Sequence, residues 1–265
     1  MIGTEAIVSL ILCGVLTTGI PIAAMIVHKL RHKSASLLSA VIGAATFVVF
    51  ALILEQILHA VMLPLVMNST VAYVIYGTLA AGVFEETGRY LACRFLMKNR
   101  TDNANAVMLG IGHGGIEAVL IIGVSMFSTL VTAIMVNTMG LDGFIQMTGI
   151  TDEAVLTTLK GQIDTIVAFS MPVALANVVE RIIAMTLHIC MSVFAMKAAS
   201  VKGKFWLFPA AIALHALFDV PAALYQRGVI SSLWLVEILL GVIVAVFVLI
   251  TIKVAKIKEE QAAEA

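Results

Sequence analysis

Residues 229–254 read VISSLWLVEILLGVIVAVFVLITIKV, and between Ser232 and Lys253 the one ionisable side chain is Glu237. A helix rises ~1.5 Å per residue and the hydrocarbon core of a bilayer is roughly 30 Å thick, so this run is long enough and apolar enough to cross it. A core helix in a soluble domain would carry a polar face; this stretch has none. Comparable runs recur at 3–27, 36–66, 71–97, 105–136, 165–196 and 205–225. The chain is therefore expected to be all-α, a polytopic bundle of about seven transmembrane helices across 1–265, with its chemistry-bearing core at about 71–225. Several runs exceed the ~20 residues a span needs, which predicts tilt or projection beyond the hydrocarbon.

Composition agrees. Of 265 residues 61% are hydrophobic and 12% charged, with a mean hydropathy of +1.08, whereas soluble domains carry about 25% charged residues. The 16 basic and 16 acidic residues cancel, so no nucleic-acid partner is expected, and the partner that composition demands is the lipid bilayer of the cell membrane. Cys13, Cys93 and Cys190 lie in three different apolar runs without a CxxC pair, a pattern that points to apolar packing and to neither disulfides nor a thiolate metal site. The first run does not read as a signal peptide, because Glu5 stands where a positive segment would be needed.

Basic residues set the expected orientation. With the N-terminus outside and the C-terminus cytoplasmic, Lys29, Arg31, Lys33, Arg94, Lys98, Arg100, Lys197, Lys202, Lys204, Lys253, Lys256 and Lys258 fall on the cytoplasmic side, while Lys160 and Arg227 fall outside. The segment 137–164 is then an outer loop. Within it Thr151, Asp152 and Glu153 precede Val155, Leu156, Leu159 and Ile163, the signature of a capped amphipathic helix. The charged tail after Lys253 reads as a solvated end.

Ten ionisable residues fall inside the spans: Glu85, Glu86, Arg89, His113, Glu117, Glu180, Arg181, His188, His215 and Asp219. Each carboxylate or arginine at a helix centre costs on the order of 2.5–3.5 kcal/mol to insert, so they must face one another or water. Counted from the cytoplasmic ends, Glu86, His113, His188 and His215 lie at similar depth on four helices, as one shared site requires. His113 with Glu117, and His215 with Asp219, are each four apart and share a helix face. A carboxylate so placed holds an imidazole in one tautomer, beside a metal or a catalytic water, or merely hides two polar groups. In Glu85-Glu86-x-x-Arg89 one carboxylate can face the site as a general base while the other supports it, with Arg89 as countercharge; a register-fixing ion pair is the plainer use. His188 is a ligand or a partner of Glu180 and Arg181. Gly110, Gly112, Gly114 and Gly115 around His113 allow close helix approach, or leave room for an extended peptide. Glu55, His59 and Glu237, near span ends or on apolar faces, read as pairing residues.

These motifs resemble those of the YhfC-type membrane peptidases, relatives of the CAAX-protease and bacteriocin-processing intramembrane proteases and of the PrsW-type membrane proteases. Glu85-Glu86-x-x-Arg89 looks like the family's double-glutamate motif with its catalytic glutamate. Residues 112–118, GHGGIEA, and Glu180-Arg181 through His188 look like its middle motifs, and His215-x-x-x-Asp219 like its last. CAAX proteases have three residues before their Arg where this chain has two, Phe where it has Leu109, and often Asn where it has Asp219. The resemblance therefore lies on the PrsW and YhfC side, and a prenylated substrate is not implied.

Residues and resemblance together imply an intramembrane protease, glutamate-type or metalloprotease, that cleaves a membrane-associated protein or peptide. Water would be activated by Glu86, or by Glu85 if the helix is rotated. His113, His188 and His215 would bind a metal, zinc being the expected ion, or act directly on the oxyanion, with Glu117 and Asp219 orienting their histidines. The alternatives are a proton-coupled transporter or ion pathway using the same Glu, His and Asp cluster, and a non-catalytic scaffold or His-ligated cofactor protein. Oligomeric state leaves no signal in the sequence.

Overall fold

The computed structural model describes residues 1–257, and the part of the charged tail from residue 258 onward lies outside the described residues. Among the described residues ten α-helices succeed one another: α1 Thr4–Arg31, α2 Leu37–Phe47, α3 Gln56–Val66, α4 Thr70–Leu91, α5 Asn103–Glu117, α6 Val124–Thr148, α7 Glu153–Val167, α8 Met171–Ser200, α9 Leu207–Gln226 and α10 Leu233–Ala255. Wider π-helical turns at Val48–Glu55, Ala92–Leu96 and Ala118–Gly123 join α2 to α3, extend α4 and join α5 to α6. Every described element is helical, as a bilayer interior demands of a chain that must pair its own backbone groups.

Six helical stretches among the described residues are long and apolar enough to cross a membrane: Thr4–Arg31, Leu37–Val66, Asn103–Thr148, Met171–Ser200, Leu207–Gln226 and Leu233–Ala255. The seventh expected crossing is α4. It is 22 residues long, and the groups that make it less apolar than the others, Glu85, Glu86 and Arg89, are those that build the site below. Exposed Ile238, Val242, Val246 and Leu249 give α10 an apolar outer face suited to lipid.

Two expected boundaries move. Most of 137–164 is helical: α6 runs on to Thr148 through a break at Gly140, whose φ of 76° suits a residue without Cβ. The amphipathic helix α7 then starts at Glu153, where the Asp152 side chain accepts from the amides of Ala154 and Val155. The span expected at 165–196 begins later, at Met171, because α7 ends at Val167 and Pro172 lies in the first turn of the next helix.

The chain divides into two compact units, residues 1–20 with 118–179 and residues 21–117 with 180 onward. In the first, Ile2, Leu10, Val136, Phe144 and Ile163 form the core, and Asn137 pairs with both backbone groups of Ile2. The second has the larger core, from Met97, Leu109, Met191, Phe194, Leu207 and Leu240 among others. All three cysteines are free and buried, Cys93 and Cys190 within this larger core and Cys13 among apolar residues of the first unit.

Close helix contacts in the second unit set the positions of the site residues. A Cβ on Gly112 of α5 would fall 2.0 Å from the carbonyl oxygen of Ala40 on α2, and one on Gly110 would fall 2.5 Å from Cα of Ile189 on α8. Gly110 and Gly112, before His113, thus serve close helix approach.

Candidate functional site

Four helices of the second unit deliver the site: Glu85, Glu86 and Arg89 from α4, His113 and Glu117 from α5, Arg181 and His188 from α8, and His215 and Asp219 from α9. Glu86, Arg89 and His113 are fully buried, and His188 and His215 nearly so. The imidazoles stand in a row, with ring centroids 4.8 Å apart for His113 and His188 and 5.6 Å for His188 and His215. Phe47 meets His113 edge-on at 5.3 Å.

Polar contacts link them in a continuous chain. Arg181 is bonded to Glu180, and its Nη1 donates to Glu117 Oε1 at 2.7 Å. Glu117 Oε2 lies 2.5 Å from His188 Nε2. Arg89 Nη2 lies 3.0 Å from His188 Nδ1, and its Nη1 donates to Glu86 Oε1 at 2.6 Å. The same Oε1 lies 2.7 Å from His215 Nδ1, whose other nitrogen is 3.6 Å from Asp219 Oδ2 and 4.0 Å from Glu85 Oε1. Glu85 Oε2 is 2.8 Å from His113 Nε2, 3.7 Å from His188 Nδ1 and 3.8 Å from Arg89.

This arrangement redistributes the partners expected from spacing. His113 pairs with Glu85 of α4, and Glu117, one turn along its own helix, turns instead to His188 and Arg181. Asp219 lies 3.6 Å from His215 Nε2, beyond hydrogen-bond length. Glu85, His113 and His188 form a group whose ligand atoms all lie within 4.8 Å of one another, a set that could hold a metal ion. His215 stands beside that group, tied to Glu86. Arg181 and Glu180 belong to the same network, and the signal for them is their position about two turns before His188 on α8. Glu237, on α10, is also buried.

A model of the YhfC intramembrane metalloprotease family matches residues 16–240. The chain belongs to this family. It is 37% identical over 263 residues to a Bacillus subtilis (strain 168) protein described as the uncharacterized membrane protein YhfC, with 97% of this chain and 99% of that protein covered. No solved structure matches it. A multi-pass membrane location is established by the apolar helices and by this relationship.

The donor set suits the metal that the YhfC family name implies. One carboxylate and two imidazoles are the ligand types zinc takes in hydrolytic sites. Arginine has no acceptor, so in the contact between Arg89 and His188 the imidazole Nδ1 carries the lone pair and Nε2 carries the proton, toward Glu117. That is the tautomer a ligating histidine needs, with a carboxylate behind it, and the Nδ1 lone pair that would meet an ion accepts from Arg89 here. Charge points the same way. Glu85, Glu86, Glu117, Glu180 and Asp219 set five carboxylates against the guanidiniums of Arg89 and Arg181. Such a formal excess of negative charge inside a bilayer calls for protons or a cation.

Proposed function

We propose that this chain is an intramembrane peptidase in which Glu86 activates the hydrolytic water next to a metal held by Glu85, His113 and His188. The observation that carries the reading is the state of Glu86. Arg89 and His215 both hold its Oε1, whereas Oε2 is buried without a hydrogen-bond partner among the described residues. A carboxylate with one oxygen fixed and the other free, beside a group of metal donors, is suited to take a proton from water. That proton passes to the amide nitrogen as the C–N bond breaks, the water oxygen ends in the new carboxylate, the second water proton goes to the released amine, and Glu86 returns to its starting state.

When bound, the ion would polarise the scissile carbonyl and make its water more acidic. The remaining residues act by position. Arg181 holds Glu117, Glu117 fixes His188, and Arg89 holds Glu86, while its contact with His188 Nδ1 would give way to the ion. Glu86 orients His215, and Asp219, with its side chain 29% exposed against 0% for Glu86, flanks that imidazole from the accessible side. The substrate is a membrane-associated protein or peptide, since the site lies among helices with apolar outer faces. Its scissile segment must be locally unwound, because helical backbone is protected by its own hydrogen bonds.

A second reading rests on the contact of Arg89 with His188 Nδ1. If the guanidinium keeps that place during turnover, Glu86 remains the base and Arg89 with the imidazoles donates to the oxyanion without a metal. Sequencing new N-termini in membranes that carry either the wild type or Glu86→Gln tests both forms of the reading. Membrane-protein N-termini that appear only with the wild type support a peptidase, and identical sets from the two contradict it.

A further inference from the structure

A second group of polar side chains lies apart from the reaction site. Glu55, at the end of the π-helical turns before α3, is buried, and its Oε1 lies 3.1 Å from His59 Nε2 one turn on. His59 Nδ1 is 2.7 Å from the Tyr76 hydroxyl of α4. The stretch Val48–Glu55 is otherwise wholly apolar, so a carboxylate there carries the insertion cost of a charge, and the partner it does have is an imidazole.

These groups sit on a graded track. At the bundle end where α3 leads into α4, Tyr73 bonds Gln226 of α9 at 2.9 Å, Arg227 lies over the Tyr73 ring, and its Nη2 reaches the Met67 carbonyl at 3.0 Å. Counting ~1.5 Å per residue inward from Val66, His59 lies roughly 10 Å and Glu55 roughly 16 Å deep; inward from Gln226, Asp219 and His215 fall at about the same two depths. The π-helical turns that end at Glu55 pack against α4, the helix that also carries Tyr76, Glu85 and Glu86. Polar groups on α3, α4 and α9 thus occupy successive depths between this end and the level of the reaction site.

The opposite half of the unit is more apolar next to the site. Beyond the site, toward the other end, come Met97 after α4, Leu109 on α5, Met191 and Phe194 on α8 and Leu207 on α9, each at most 2% exposed and all in one apolar core, with Ser192 among them and the buried polar Asn105 and Lys197 nearer that end. A packed apolar core with few voids does not admit water.

We propose that Glu55, His59 and Tyr76 line the path by which water reaches the buried carboxylates, so that the site is hydrated from the end of the bundle formed by Ser69 and Arg227. The proposal rests on the hydrolytic reading for its purpose. Its test does not, because it measures water and not cleavage, so the two can fail separately.

The probe is a small, permanently charged methanethiosulfonate, which reacts with the hydrated thiolate. In a background where Cys13, Cys93 and Cys190 are replaced by Ala, His59→Cys and Tyr76→Cys should be modified roughly tenfold or more faster than Leu109→Cys and Met191→Cys. In sealed vesicles the reaction should proceed from one side only, the side that also modifies a cysteine at Ser69. Should a variant not fold, hydroxyl-radical footprinting of the wild type in vesicles gives the same answer: oxidation at Tyr76 and His59, with Met97, Met191 and Met196 spared despite their reactive sulfur. Comparable modification in the two halves, modification of neither, or faster modification at Leu109→Cys and Met191→Cys overturns the proposal.

Discussion

Arg89 Nη2 and His188 Nδ1 lie 3.0 Å apart in a fully buried contact between α4 and α8. Since the guanidinium can only donate, this one contact fixes which nitrogen of His188 bears the proton. It also joins the residue that holds Glu86 to the residue that Glu117 holds, so the candidate base and the candidate ligand set share a single support.

The two adjacent glutamates are expected to fail differently. Glu86→Gln should keep the fold and any bound metal while lowering kcat by roughly 10²–10⁴-fold, the usual contribution of a positioned base. Glu85→Gln should lose metal as well as turnover. Cleavage rates and metal content of the two variants side by side separate the roles; full turnover in both would remove the pair from the chemistry.

Replacing Arg89 tests the support. Arg89→Ala leaves Glu86 buried opposite an empty position, and breaking a buried ion pair by removing one partner costs about 3–5 kcal/mol. Thermal unfolding in detergent should show a large loss. Arg89→Lys should restore part of the stability without the activity, because a point charge cannot serve Glu86 and His188 at once as a fork of donors does. Wild-type turnover in Arg89→Lys would show that the bridge is dispensable.

Gly112 and Gly161 make a matched pair. A Cβ at Gly112 would fall 2.0 Å from the Ala40 carbonyl oxygen, whereas nothing lies within 4 Å of one at Gly161 in α7. Gly112→Ala should destabilise the protein by about 1–3 kcal/mol or more, the cost of overpacking. Gly161→Ala should stabilise α7 by about 0.5–1 kcal/mol. Unfolding temperatures of the two variants check both signs.

Orientation is tested by impermeant thiol labelling of intact cells. Single cysteines at Thr151 and Arg227 should react and one at Lys202 should not, as the asymmetry of basic residues requires. Labelling at Lys202 alone would invert the topology.

The sequence shows the spans well because each is an apolar run whose length the bilayer fixes, and the depth of Glu86, His113, His188 and His215 can be counted along them. Partner choice is much less legible. Four-residue spacing places Glu117 on the face of His113, but which carboxylate an imidazole meets depends on the neighbouring helix. Here α4 brings Glu85 to His113 and α8 brings Arg181 and His188 to Glu117. The rotation of those helices is set by contacts such as Gly110 on Ile189, and by π-helical turns that rotate the faces of the helices after them. Neither is written in hydrophobic periodicity. Glu55 and His59 do leave a signal, a four-residue pair on an apolar helix, but Tyr76 joins it from another helix 17 residues away.

The proposed chemistry turns on the metal, and metal analysis of protein purified in detergent without chelator or added zinc addresses it without intermediate steps. The wild type should carry close to one divalent ion per chain. That ion should be lost in Glu85→Gln, His113→Ala and His188→Ala and retained in His215→Ala, and its affinity should fall roughly 10–100-fold in Glu117→Gln through the histidine that Glu117 supports. An active, metal-free preparation indifferent to chelators would contradict the metal centre and leave Glu86 working with Arg89 and the histidines alone.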